Sequence, residues 1–236
     1  MKNVTIDENY KGVIKRNNQF EFDGDLIVDG DVIIKINLIV NGNQTVKGNQ
    51  IVEGNQIVNG KQIIEGHQVV EGWQIIKDSQ TINGIQTIKD EQVVKGSQVV
   101  KCNQTVEGSQ VIKRDQTIKG SQVVKGDQVI EYSQTVEKDQ TVIGDQIVEG
   151  LQVIIGESEI LGFKTKFSLS LIQDKYRLYF MSDLIKIGCR IHSPEEWTNF
   201  TDAQIDSMDK GALEWWSKWK KFVLSTHSNL VEIYGN

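Results

Sequence analysis

The chain has 236 residues, 38% of them apolar, with one proline, 21 glycines and a formal net charge of −6. That length allows one large domain or two small ones, and so little proline with so much glycine points to a repeated backbone rather than an ordinary mixed fold. Residues 17–162 carry 12 Lys/Arg against 21 Asp/Glu, whereas residues 163–236 carry 10 against 9; an acidic body argues against direct nucleic-acid binding, which needs basic surface to meet phosphate.

The opening MKNVTIDENY is polar, and no run of about 18 apolar residues occurs for a membrane span. Cys102 and Cys189 lie far apart and suggest no disulfide framework. A cytoplasmic chain is therefore expected. Residues 1–22 are read as an N-terminal cap over the repeats that follow.

From Gly24 the sequence falls into hexads of the form G-x-Q-[ITV]-[VI]-x, starting GDLIVD, GDVIIK, INLIVN and GNQTVK and running to GLQVII. Gln holds the third place without a break from Gln44 to Gln152, nineteen times, and the fifth place is Val or Ile. A period of six does not fit a helix of 3.6 residues per turn, and a glycine in every hexad would cost a helix about 1 kcal/mol each. Val, Ile and Thr followed by a glycine turn suit a short strand that bends and continues. One hexad cannot bury its own apolar face, so the next coil must cover it, which is the logic of a solenoid.

The fourth place shows how many hexads make a coil. Thr appears there at 45, 81, 87, 105, 117, 135 and 141, yet every third hexad from Ile39 has none: Ile39, Ile57, Ile75, Val93, Val111, Val129 and Ile147. This 18-residue superperiod predicts three hexads per triangular coil. About seven and a half coils, roughly 4.8 Å apart, would make a rod some 36 Å long.

Alternation along a strand puts the third and fifth places inside and the fourth outside. Leu26, Val32 and Leu38 stand where Gln later stands, which supports an interior third place. Buried amides then need partners, and amides one coil apart can bond along the axis as a ladder. The all-aliphatic series Ile39, Ile57, Ile75, Val93, Val111, Val129 and Ile147 becomes an outward stripe, with Trp73 on the same face, and is the candidate face for a second copy or another partner.

Repeat register fails after Gly162, so the solenoid is read as residues 23–162 and a small α+β domain as 163–236. KTKFSLSLIQ, KYRLYFM and LIKIGCRIH read as strands, with turns at Asp174-Lys175 and Ser182-Asp183. Ser193-Pro194-Glu195-Glu196 and Thr201-Asp202-Ala203-Gln204 are capping boxes, and a last helix is expected from about Lys210 to Ser225. Trp197, Trp215, Trp216, Trp219 and Phe222 form either the core of this domain or a docking surface.

Signals for chemistry are thin. Cys189 and His192 form half of a metal site, without further ligands at a supporting spacing. No phosphate loop, dinucleotide fingerprint or HExxH occurs, and no catalytic residue, cofactor or metal is expected. Hexapeptide acyltransferases need a histidine beside a cleft, usually with loops extruded from the coils. Here the hexads run unbroken, and His67 stands at a variable, outward place.

The opening GDLIVDGDVIIKINLIVNG resembles the polymer-forming β-solenoids of the bactofilin type, which implies a cytoplasmic right-handed helix that polymerises end to end. The tail from Ile187-Gly188-Cys189 through His192-Ser193, Trp197, Phe200, Asp202, Ile205, Met208 and Ala212-Leu213 to Trp215-Trp216 resembles the C-terminal segment of repeat proteins encoded by phages and prophages. Bactofilins lack a glutamine in every hexad and carry disordered tails where this chain has a Trp-rich domain, which favours closed oligomers over open filaments. The expected function is that of a non-catalytic phage-type solenoid acting by surface contact as a homo-oligomer in the host cytoplasm, for instance on a host defence protein. The alternatives are a bactofilin-like filament or virion structural protein, and a hexapeptide-type acyltransferase.

Overall fold

The fold is described from a computed structural model that places residues 4–6, 14–16, 19–143, 146–156, 158–160 and 163–235. The chain divides into two compact units, Met1–Gly150 and Leu151–Asn236.

The first unit is the expected β-solenoid. Each hexad contributes a strand of three residues, such as Gln44–Val46, Gln50–Val52 and Gln56–Val58, and then bends into the next face. Every strand pairs in parallel with the strands 18 residues before and after it: Gln62 lies beside Gln44 on one side and Gln80 on the other. Three parallel sheets result, one per face of the coil. The expected N-terminal cap over residues 1–22 lies partly outside the described residues. Of its described parts, Val4–Ile6 runs parallel to Val32–Ile34, and Ile14–Arg16 pairs antiparallel with Gln19–Phe22. Gln19–Phe22 in turn runs parallel to Asn37–Val40.

The interior is built from two places of the hexad. Fifth-place side chains from Ile34 to Val136 are fully buried, and so are the glutamines from Gln44 to Gln134. Each aliphatic side chain removed from water in this way contributes about 1.5–3 kcal/mol. The amides are satisfied by one another. Gln62 Nε2 donates to Gln44 Oε1 (2.7 Å), Gln80 Nε2 to Gln62 Oε1 (2.6 Å) and Gln98 Nε2 to Gln80 Oε1 (2.7 Å), always toward the preceding coil. Longer bonds link neighbouring columns, as from Gln98 Nε2 to Gln86 Oε1 (3.1 Å). The three columns therefore point one way, donors toward the N-terminus. They begin above Leu26, Val32 and Leu38, which accept nothing, and Gln44 Nε2 and Gln50 Nε2 are left without a partner. Gln56 escapes this by donating sideways to Gln44 Oε1 (2.9 Å) and Gln50 Oε1 (3.2 Å).

The corners explain the remaining places. A Cβ on Gly66 would lie 2.6 Å from Gly48 O and 2.5 Å from Asn49 Oδ1, closer than atoms tolerate. Without it, Gly66 N–H reaches Gly48 O at 3.0 Å, and the same coil-to-coil bond forms at Gly48, Gly72, Gly84 and Gly126. Among the described residues it is missing where Asp78, Asp90, Cys102, Arg114, Tyr132 or Lys138 replaces the glycine. The second place, often Asn, Asp or Ser, makes a ladder of its own: Asp25 Oδ1 accepts from Asn43 N–H (2.7 Å), Asn43 Oδ1 from Lys61 N–H (2.9 Å) and Asn49 Oδ1 from His67 N–H (2.8 Å).

The second unit is α+β. Gln152–Ile154, Ser168–Gln173, Tyr176–Met181, Ile185–Ile187 and Arg190–His192 form an antiparallel sheet in that order, and Ser158–Ile160 pairs with Phe163–Thr165 as a hairpin. Asp174 turns the chain at φ 56, a left-handed value that Asp tolerates. Helix α1 (Pro194–Asn199) and helix α2 (Asp202–Asp206) start at the expected capping boxes, with Ser193 Oγ accepting from Glu196 N–H and Thr201 Oγ1 from Gln204 N–H. Helix α3 (Ala212–Tyr234) enters from Gly211 at φ 76. It runs well past Ser225, the expected end. Thr226, Ser228 and Asn229 are weak helix formers, yet His227 is buried and its Nε2 bonds Met181 O at 2.9 Å, so tertiary contacts override local preference.

Candidate functional site

The outward stripe lies on one face. Ile39, Ile57, Ile75, Val93, Val111, Val129 and Ile147 stack residue on residue in successive parallel strands. The side chains from Ile39 to Val129 are half-buried by their neighbours above and below, and Ile147 is 52% exposed. The other two faces carry Thr in the equivalent columns, as at Thr81, Thr117 and Thr135 on one and Thr87, Thr105 and Thr141 on the other.

The edges of the stripe differ in charge. Because its strands are parallel and in register, residues just before them form one edge and residues just after them the other. Lys77, Lys95 and Lys113 follow three successive strands and Glu131 follows the next, while Glu91 and Asp127 precede theirs. Lys113 pairs with Glu131, whereas Lys77, Lys95 and Glu91 are exposed and have no ionic partner among the described residues. Trp73 sits on the acidic edge, half-buried, with its backbone N–H donating to Asn55 Oδ1 at 3.0 Å. His67, outward as expected, acts as another link of the corner ladder, its Nδ1 accepting from Ile85 N–H at 2.8 Å.

Comparison with protein-family models, with curated proteins and with solved structures gives no match. No helix among the described residues is long and apolar enough to cross a membrane.

In the second unit the aromatic residues separate. Trp197, Trp215 and Trp216 are buried in a core with Leu178, Phe180, Ile185 and Val223. Trp197 Nε1 donates to Ile185 O (2.9 Å) and Trp215 Nε1 to Gln173 O (3.1 Å). Trp219 is half-buried, and Phe222, packed against it at 5.9 Å between ring centres, is exposed. A flat five-residue docking surface is thus not what these side chains make. The three buried tryptophans instead help to line a cavity of about 330 Å³, whose wall includes Tyr176, Cys189, Arg190 and Asp209 from distant parts of the sequence.

Beside this cavity Asp209 Oδ2 accepts from Tyr176 Oη (2.7 Å) and lies 2.7 Å from Lys175 Nζ, while its Oδ1 accepts from Lys210 N–H (2.8 Å). These partners, Lys175 foremost, hold its carboxyl down to about 2. Cys189 and His192 do not gather further ligands: the His192 ring packs edge-on against Trp197 and Phe200, with Nδ1 3.8 Å from Glu196. Among the described residues no three His, Cys, Asp or Glu side chains converge as a metal site.

Proposed function

We propose that this protein is a non-catalytic scaffold that acts by surface contact, and that its stripe face binds a second copy of the chain. The reading is carried by the unbroken aliphatic column, with Lys95 and Glu91 flanking it in one coil. In two copies related by a twofold axis parallel to the stack of coils, the residue just after a strand in one copy meets the residue just before the equivalent strand in the other. Lys95 then faces the partner's Glu91, and the aliphatic columns Ile39 to Ile147 cover each other. The resemblance of the opening hexads to bactofilin-type polymer-forming solenoids supports assembly as such. The resemblance of the tail to phage-encoded repeat proteins supports a host factor, such as a defence protein, as the further partner.

Sedimentation over a range of concentrations tests the assembly. The wild-type chain is expected as a discrete dimer. Glu91→Lys or Lys95→Glu alone should weaken it about tenfold or more, since like charges then meet twice across the axis, and the double exchange should restore it. Ile75→Lys, Val93→Lys and Val111→Lys together should leave a folded monomer. A wild-type chain that stays monomeric overturns the reading, and open-ended growth replaces it with a filament.

A further inference from the structure

The cavity in the C-terminal unit has a consistent chemistry. Its walls are rings: Tyr176 and Trp215 meet edge to face at 5.0 Å, and Trp197 and Trp216 lie 5.3 Å apart at an interplanar angle of 40°. Its volume, about 330 Å³, is that of a small-ligand cleft. Aromatic walls of this kind receive flat, apolar groups.

The polar groups of the wall decide the charge of the ligand. Asp209 is the one carboxylate there, and it is engaged by Lys175, Tyr176 and the Lys210 N–H. Arg190 also belongs to the wall, is exposed, and its guanidinium has no hydrogen-bond or ionic partner among the described residues. The engaged group is thus the anion, and the charged group without a partner is a donor, the Arg190 guanidinium. A cage for a cation would show the reverse, with a free acid and satisfied donors.

From the free guanidinium and the ring-lined walls, we infer that this cavity binds a small planar aromatic carboxylate, its ring against the aromatic wall and its carboxylate on Arg190. A guanidinium offers two parallel N–H groups to a carboxylate, and such charge-assisted bonds are the stronger kind.

The test uses the full chain and three probes of one shape: 2-naphthoate, the neutral 2-naphthamide and the cationic 2-naphthylmethylammonium. Calorimetry and tryptophan quenching measure binding. Protection of Cys189 from a thiol reagent locates it, with Cys102 of the solenoid as the unprotected internal control. Naphthoate is expected to bind at least tenfold more tightly than the amide, to exclude the cation and to slow labelling of Cys189 alone. Arg190→Gln should abolish the preference for the carboxylate while leaving the circular dichroism unchanged, and Arg190→Lys should keep part of it. Equal binding of acid and amide, preference for the cation, protection of both cysteines or of neither, or no binding of any probe would each overturn the assignment.

Discussion

Replacing glutamines by leucine at two heights of the ladder should have unequal effects. In mid-ladder, Gln98 donates to Gln80 Oε1 (2.7 Å) and accepts from Gln116 Nε2 (2.7 Å). Gln98→Leu removes both short axial bonds and the longer sideways ones to Gln86 (3.1 Å) and from Gln110 (3.4 Å). The neighbours are not fully orphaned, because Gln80 Oε1 still accepts from Gln92 (3.2 Å) and Gln116 Nε2 still reaches Gln110 (3.0 Å). With about 1 kcal/mol net for each short axial bond, and less for the longer ones, the cost should be at least about 2 kcal/mol. Gln44→Leu also removes two accepted bonds, from Gln62 (2.7 Å) and Gln56 (2.9 Å), but it abolishes a buried donor that has no partner. Relief of that donor is worth about 1–3 kcal/mol, so the net effect should be close to zero. The change simply moves the border between aliphatic and amide layers up by one place, where Leu26 already lies below. Urea unfolding, with hydrogen exchange to locate the loss because a solenoid can open coil by coil, measures both variants. Equal costs, or a larger cost at Gln44, would refute the one-directional ladder.

Two further outcomes follow from single side chains. His227 is held below its ordinary value of 6.5, chiefly by burial. Its stabilising contribution is therefore complete above the unfolded value and is lost as pH falls below about 6.5 through the depressed folded value. Unfolding of the C-terminal unit, followed by tryptophan fluorescence between pH 8 and 5, should show this loss, and His227→Gln should flatten it. At the corners, Gly66→Ala should cost about 1–3 kcal/mol, because its Cβ would meet Gly48 O at 2.6 Å. Gly24→Ala, with nothing within 4 Å, should be nearly neutral by the same urea titration.

Much of this fold is legible in the sequence, and for physical reasons. The period of six, the threonine-free column and the aliphatic residues at the place of Gln44 in the first coil fix coil length and facing together, since only one register buries Leu26, Val32 and Leu38 with the glutamines. The second-place ladder was present as the run Asp25, Asp31, Asn37, Asn43, Asn49 and Asn55, but its meaning depends on an N–H exactly one coil away and emerges only with the stack. The edge charges of the stripe are likewise readable once strands and faces are assigned. The cavity was not readable. Cys189 and Arg190 come from a turn and edge strand, Asp209 from the link before α3, and no spacing rule joins them. The tryptophans themselves stood out, but whether a Trp faces solvent or core is decided by what packs across from it.

The corner and interior bonds all repeat after the same chain length, and this makes the length of the rod a quantised trait. An insertion or deletion of 18 residues adds or removes a storey and keeps every column in phase. A change of six turns all that follows by one face, so threonine columns would continue where the aliphatic one had run. Gene-level slippage, easy in so repetitive a sequence, is therefore filtered by geometry: whole storeys preserve the outer pattern, and fractions of one scramble it.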